Sequence, residues 1–204
     1  AMAVIPGFSA VGMTLSVGSV CGIDEAGRGP LCGPVCAAAV ILPPDLEIAG
    51  INDSKKLTEK KREELFDQIT SQAIAYGVGF AEVEEIEEIN ILNATYLAMC
   101  RAAGQLSETP ALVLVDGNRT PSGLELPSRT VVKGDAKSAS IAAASILAKV
   151  SRDRLLLEMD KQYPEYGFAQ HKGYGTALHK ELYLKYGLCP EHRLTFLKNW
   201  EAER

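Results

Sequence analysis

The residues best able to do chemistry in this chain are carboxylates that stand where apolar runs end. Val20-Cys21-Gly22-Ile23 leads into Asp24-Glu25, and the run 111–115 leads into Asp116. A charge placed directly after a buried strand costs free energy unless it is solvated, paired or metal-bound. Strand ends are also where open α/β sheets hold ligands. A single such acid commonly does no more than cap a turn; two strand ends together weigh against that reading. Asp135 is a further acid, expected at the start of a long helix, where the dipole favours an anion. Its plainer reading is a helix N-terminal acid.

Asp24-Glu25 is followed by Ala26-Gly27-Arg28-Gly29-Pro30. Glycine permits positive φ and close approach of backbone to a ligand, and Arg28 adds a cation with forked donors. The alternative is an ordinary glycine-rich hairpin turn. Pleating imposes a condition, because adjacent strand residues face opposite sides. Asp24 and Glu25 are therefore expected to share a site only if the strand ends or bulges there.

Two segments, 129–154 and 168–198, carry the basic surplus, whereas 45–93 is strongly acidic. Lys149, Arg152 and Arg154 are read either as phosphate contacts or as a solvated helix face. His171-Lys172-Gly173-Tyr174-Gly175-Thr176 is a basic loop ahead of a helix. Tyr174 could stack on a sugar or base, with His171 and Lys172 on phosphates; otherwise this is a helix-entry loop capped by Thr176. His171, His179 and His192 lack zinc-ligand spacing.

The elements that must position these residues are legible in outline. Residues 20–24 and the almost wholly apolar 34–42 read as buried strands, the second stopped by Pro43-Pro44. Thr58 is a suitable N-cap for a helix over 59–72. Strands are expected at 75–81, 111–115 and 129–133. Helices are expected over 82–106, broken near Asn90 and Asn93, over about 136–162 and over 177–186. Strands first, then alternation with helices, imply an α/β domain on a mixed sheet.

The chain has 204 residues, which suggests one domain over 20–204, since domains run to about 100–200 residues. Residues 1–19 are small and apolar without a basic residue, unlike a secretory signal, and read as a disordered N-terminal extension. No run of apolar residues is long enough for a membrane helix. The five cysteines are odd in number and lack CxxC spacing, so reduced cytoplasmic thiols are expected rather than a zinc ribbon. A net charge of −5 argues against a cationic coat for nucleic acid, but not against a local basic face.

Taken together, GIDEAGRGPLCGPVCAAAVIL, INDSKKL, LVDGN, VVKGD, AASILAKVSRD and HKGYGT resemble the bacterial ribonuclease HII family, in order, from about Cys21 to about Phe196. The resemblance implies a ribonuclease H-like fold, a mixed β-sheet flanked by helices. It implies endonucleolytic cleavage of RNA paired to DNA, and incision at single ribonucleotides embedded in duplex DNA, leaving 3′-hydroxyl and 5′-phosphate ends. The family's metal-site carboxylates fall on Asp24, Glu25, Asp116 and Asp135. Its glycine–arginine–glycine loop falls on Gly27, Arg28 and Gly29, and its junction-sensing tyrosine on Tyr174. Lys55, Lys149, Arg152, His171 and Lys172 are the further substrate contacts expected. Oxygen-only ligands suit Mg²⁺ or Mn²⁺, and two-metal phosphodiester hydrolysis is the expected chemistry. The expected partners are RNA–DNA hybrid and ribonucleotide-containing DNA, with the protein a monomer away from membranes. A junction resolvase on the same fold, a non-catalytic hybrid-binding module and ribonuclease HIII are the rival readings. Arg28 between its two glycines favours HII over HIII.

Overall fold

The computed structural model describes residues 19–51, 54 and 57–201. The expected disordered extension lies, but for Ser19, outside the described residues, as does Lys55. Five strands form one sheet in the order β3-β2-β1-β4-β5. They are β1 (Val20–Ala26), β2 (Val35–Ile41), β3 (Ala75–Ala81), β4 (Leu112–Asp116) and β5 (Ser128–Val131). The first three pair antiparallel, whereas β4 and β5 run parallel to β1. The sheet is thus mixed, as the order of strands and helices implied.

Both faces are covered, which explains why β2 is buried along its whole length. Helix α1 (Glu59–Gln72) and helix α3 (Ala139–Gln162) cover one face, packing with Cys36, Ala38 and Val40. Helix α2 (Val83–Gly104) covers the other, with Cys21, Ile23, Ala37 and Val113. Leu65 and Ile69 carry the inward side of α1, each contributing about 1.5–3 kcal/mol by full burial. Thr58 caps α1 as expected, accepting from the Lys61 N–H at 3.2 Å.

Asn90, at φ 68°, breaks α2. Its Oδ1 accepts from the N–H groups of Leu92 and Asn93 at 3.0 and 3.1 Å, which restarts the helix after the kink. The long helix begins later than expected. Residues Gly134–Ala136 form a separate 3₁₀ turn, entered through left-handed Lys133. Ser138 then caps α3 by accepting from Ile141 N–H. Asp135 therefore sits in the turn ahead of α3 and not in the helix. Short helices α4 (Phe168–His171), α5 (Ala177–Tyr186) and α6 (Lys198–Glu201) complete the chain order. Thr176 caps α5, accepting from His179 N–H at 3.2 Å.

Candidate active site

Strand β1 continues unbulged to Ala26, in register with β2 throughout. The condition placed on Asp24 and Glu25 is therefore not met by a break in the strand. Asp24 lies opposite Ala38 and faces α3, while Glu25 lies opposite Ala37 and faces α2. Each approaches the strand end from its own side. The last parallel pair is Ile23–Val115, and one step further places Asp116 abreast of Asp24. Glu25 and Asp116 line one recess of about 240 Å³ with Arg28, Tyr96, Asn118 and Arg119. Asp116 Oδ1 accepts the Gly134 N–H at 2.7 Å, which brings the turn bearing Asp135 against β4.

Asp24 is 7% exposed. Burial pushes its carboxyl well above the ordinary range, and the nearby charges of Glu25 and Asp116 push in the same direction. A hydrogen bond with the Ser145 hydroxyl of α3 opposes the shift. That hydroxyl lies 2.9 Å from Ser54 Oγ. Either hydroxyl can donate in that pair. Among the described residues no three His, Cys, Asp or Glu side chains form a tight ready-made cage; the acids are arrayed along the strand ends.

The glycine–arginine–glycine loop follows directly. Arg193 donates to the carbonyls of Gly27 (2.7 Å), Arg28 (3.2 Å), Pro30 (2.8 Å) and Gly33 (2.7 and 2.9 Å). Arg152 donates to those of Cys32 (2.9 Å), Pro34 (3.0 Å) and Lys172 (3.0 Å). Tyr174, 45% exposed, stands beside this loop. Its Cε1 is 4.0 Å from where a Cβ on Gly29 would lie.

The two loop glycines differ. Gly27 has φ +97°, and a Cβ there would meet Arg152 Nε at 2.1 Å. Around Gly29 the protein leaves room. Gly27→Ala should therefore lower the melting temperature, since the left-handed conformation alone costs an ordinary residue about 1–2 kcal/mol. Gly29→Ala should melt like the parent, yet cleave at least about tenfold more slowly if substrate must approach this backbone. Thermal melts beside steady-state rates check both; a poorly folded Gly29→Ala or a fully active one defeats the distinction.

Several expected contacts need correction. Arg152 is 1% exposed and its donors are committed to the three carbonyls above, so it does not reach a phosphate. His171 is 6% exposed: Nε2 donates to Tyr166 O at 2.7 Å, and Nδ1 accepts from Gly173 N–H at 3.1 Å. It holds the loop from within. Lys149 binds Asp153 at 2.7 Å. Arg154 pairs with Glu63 and lies over the Phe66 ring. Lys172 is left-handed at φ 50° and partly exposed beside Tyr174. The three histidines, far apart in sequence, do meet. His171 and His179 stack with centroids 4.1 Å apart, and His179 Nε2 lies 3.2 Å from His192 Nε2. His192 Nδ1 accepts from Cys189 N–H and His179 Nδ1 donates to Tyr174 O at 3.0 Å. Burial holds His179 and His192 down to about 4, and so neutral.

A family model described as Ribonuclease HII matches residues 21–200. The chain belongs to the ribonuclease HII family. A ribonuclease HII of Acetivibrio thermocellus is 59% identical over 181 residues, spanning 89% of this chain and 70% of that protein. One of Endomicrobium trichonymphae is 61% identical over 177 residues, spanning 87% and 84%. The crystal structure of ribonuclease H2 from Pyrococcus horikoshii superposes with a TM-score of 0.74 at 30% identity, covering 91% of this chain and 98% of that one. The enzyme is accordingly a ribonuclease H, a hydrolase acting on RNA–DNA hybrids. Among the described residues no helix is long and apolar enough to cross a membrane.

Sequence reasoning missed three residues of this candidate site. Ser54 and Ser145 touch Asp24 directly or at one remove, but a serine among small residues looks like packing. Arg193, fully buried, sits in the unremarked run His192-Arg193-Leu194. Its carbonyl partners lie 160 to 166 positions upstream, beyond any local pattern.

Proposed function

We propose that this enzyme incises duplex DNA at single embedded ribonucleotides as well as cutting continuous hybrids, by two-metal hydrolysis leaving 3′-hydroxyl and 5′-phosphate ends. The observation that carries the reading is the juxtaposition of Asp24 and Asp116 at adjacent parallel strand ends with the glycine–arginine–glycine loop and Tyr174. Phosphodiester cleavage and ribonucleotide recognition then occupy one surface.

The donor set fits hard divalent cations. Asp24, Glu25, Asp116 and Asp135 offer only oxygen, and the mutual repulsion felt at buried Asp24 is what a bound cation relieves. Mg²⁺ or Mn²⁺ held there would supply activation of water and stabilisation of the charge on the leaving oxygen. The protein's own groups do the rest. Ser145 orients Asp24, and the Gly134 N–H orients Asp116. The backbone around Gly27, Arg28 and Gly29 receives the ribose 2′-hydroxyl, the one sugar group that separates RNA from DNA. The Tyr174 ring packs on the adjoining deoxyribose, and Lys172 lies on the path of the backbone.

The test compares a continuous hybrid, a duplex with one ribonucleotide and plain DNA, each with Mg²⁺, Mn²⁺ or excess chelator. Cleavage of the first two, only with metal, is expected. Undiminished cleavage in chelator would sink the metal mechanism, and an intact single-ribonucleotide duplex would sink the substrate reading. Metal should also raise the melting temperature in the absence of substrate, by binding linkage of about 2.7 kcal/mol at a hundred times the dissociation constant. Scanning calorimetry across a Mg²⁺ series reads that shift, and a flat series would place the cations elsewhere.

A further inference from the structure

We propose that Arg152 and Arg193 are positioning residues for ribonucleotide selection: they hold the glycine–arginine–glycine loop and the Tyr174 loop as one platform that presents backbone N–H groups outward. This rests on the reading above, that the platform receives the 2′-hydroxyl.

In a trans peptide the carbonyl and the following N–H point in opposite directions. Arg193 draws the carbonyls of Gly27 and Arg28 inward, at 2.7 and 3.2 Å. The N–H groups of Arg28 and Gly29 are thereby aimed away from the buried guanidinium, on residues that are themselves exposed. The 2′-oxygen would meet donors whose direction is fixed before binding.

Arg152 ties this loop to the second recognition element. One guanidinium binds Cys32 and Pro34 on the first loop and Lys172 on the second. Leu31 N–H donates to Gly173 O at 2.8 Å, and Tyr174 N–H to His171 O at 2.9 Å. The spacing between the outward N–H groups and the Tyr174 ring is thus set by a buried scaffold rather than by the flexible side chain of Arg28.

The chemistry of the two residues supports positioning over simple cohesion. Both are essentially inaccessible, at 1% and 0% exposure, and both direct their donors to main-chain carbonyls rather than carboxylates. Burying a cation without a counter-carboxylate is costly, and apolar packing often serves stability as well or better. What the guanidinium adds is a rigid planar fork that fixes several acceptors at set angles. Lysine keeps the charge and loses the fork.

Arg193→Lys and Arg152→Lys in the full chain provide the test. kcat and KM are measured with Mg²⁺ on a duplex holding one ribonucleotide and on a continuous hybrid, alongside thermal melts. Efficiency on the single ribonucleotide should fall about 10²-fold, the cost of displacing a reacting partner by about 1 Å. The loss should lie mainly in kcat and be several-fold smaller on the hybrid, where neighbouring ribonucleotides offer alternative registers. Equal losses on both substrates would mean that the residues only hold the fold together, and would overturn the proposal. Failure of both variants to melt cooperatively would overturn it in the same way. A parent enzyme that cuts the hybrid but not the single ribonucleotide would instead defeat the functional reading beneath it.

Discussion

Asp24→Asn is expected to lower the hydrolysis rate by at least about 10³-fold while hybrid binding survives. The amide keeps the shape and one oxygen but removes the charge that would hold a cation, and such cations supply several kcal/mol of transition-state stabilisation. Asp116→Asn should behave alike. Its Oδ1 can still accept from Gly134 N–H, so the turn bearing Asp135 stays in place and only ligand charge is lost. Stability should move the other way. The folded Asp24 pKa is raised above 3.8, chiefly by burial and then by Glu25 and Asp116. The folded state therefore binds this proton more tightly than the unfolded chain. That contribution is present below the unfolded value and is lost as pH rises through the folded one. At neutral pH without metal the unfolded carboxyl is ionised, and returning it to this buried site works against the fold, so Asp24→Asn should melt higher than the parent in chelator. Mg²⁺ should narrow the gap. Single-turnover rates, fluorescence anisotropy and paired melts read the three quantities. A variant that keeps most of its rate at saturating metal would show that the site is misplaced.

Tyr174 should separate the two substrates. A site built to hydrogen-bond a hydroxyl can reject the analogue lacking it by about 10⁴–10⁵-fold, because its own polar groups are left unpaired. Tyr174→Phe keeps the ring and removes one hydroxyl, a loss of up to about tenfold on the single-ribonucleotide duplex. Tyr174→Ala also removes the packing surface, and the loss should reach about 10²-fold. Both losses should be smaller on a continuous hybrid. Because Tyr174 is half exposed and its main chain is held by His171 and His179, neither change should unfold the loop. Competition between the two substrates in one reaction gives the ratio directly; an unchanged ratio for Tyr174→Ala would reduce the tyrosine to a packing residue.

Much of the scaffold was legible because its signals are local. Thr58 and Thr176 mark helix starts by side-chain capping, and Glu59–Gln72, Ala75–Ala81 and Ala177–Tyr186 form with the bounds expected. The strand-end acids were legible because apolar runs stop at them. The faces of Asp24 and Glu25 were not, since whether a strand bulges depends on its partner, and β2 keeps β1 in register to Ala26. Arg152 and His171 were misplaced for a related reason. A basic residue on a helix or in a loop has the same sequence whether it faces water or a set of buried carbonyls. The acceptors that decide the matter for Arg152 lie 118 and 120 positions upstream.

That separation in sequence also bears on how the enzyme comes into being. During synthesis the chain emerges from its N-terminus and folds progressively. The β1–β4 pair needs only the first 116 residues or so to set Asp24 beside Asp116. The carbonyls of Gly27 and Gly33 wait for Arg193, 166 and 160 positions later. Contacts so distant in sequence close late, because loop entropy must be overcome before they form. A nascent or truncated chain that ends before Arg193 can carry its carboxylates in order and still lack a set platform for the ribose. On the proposed reading, this order of folding would place selection after assembly of the carboxylate cluster, and the segment around Arg193 would be the last part of the platform to be set.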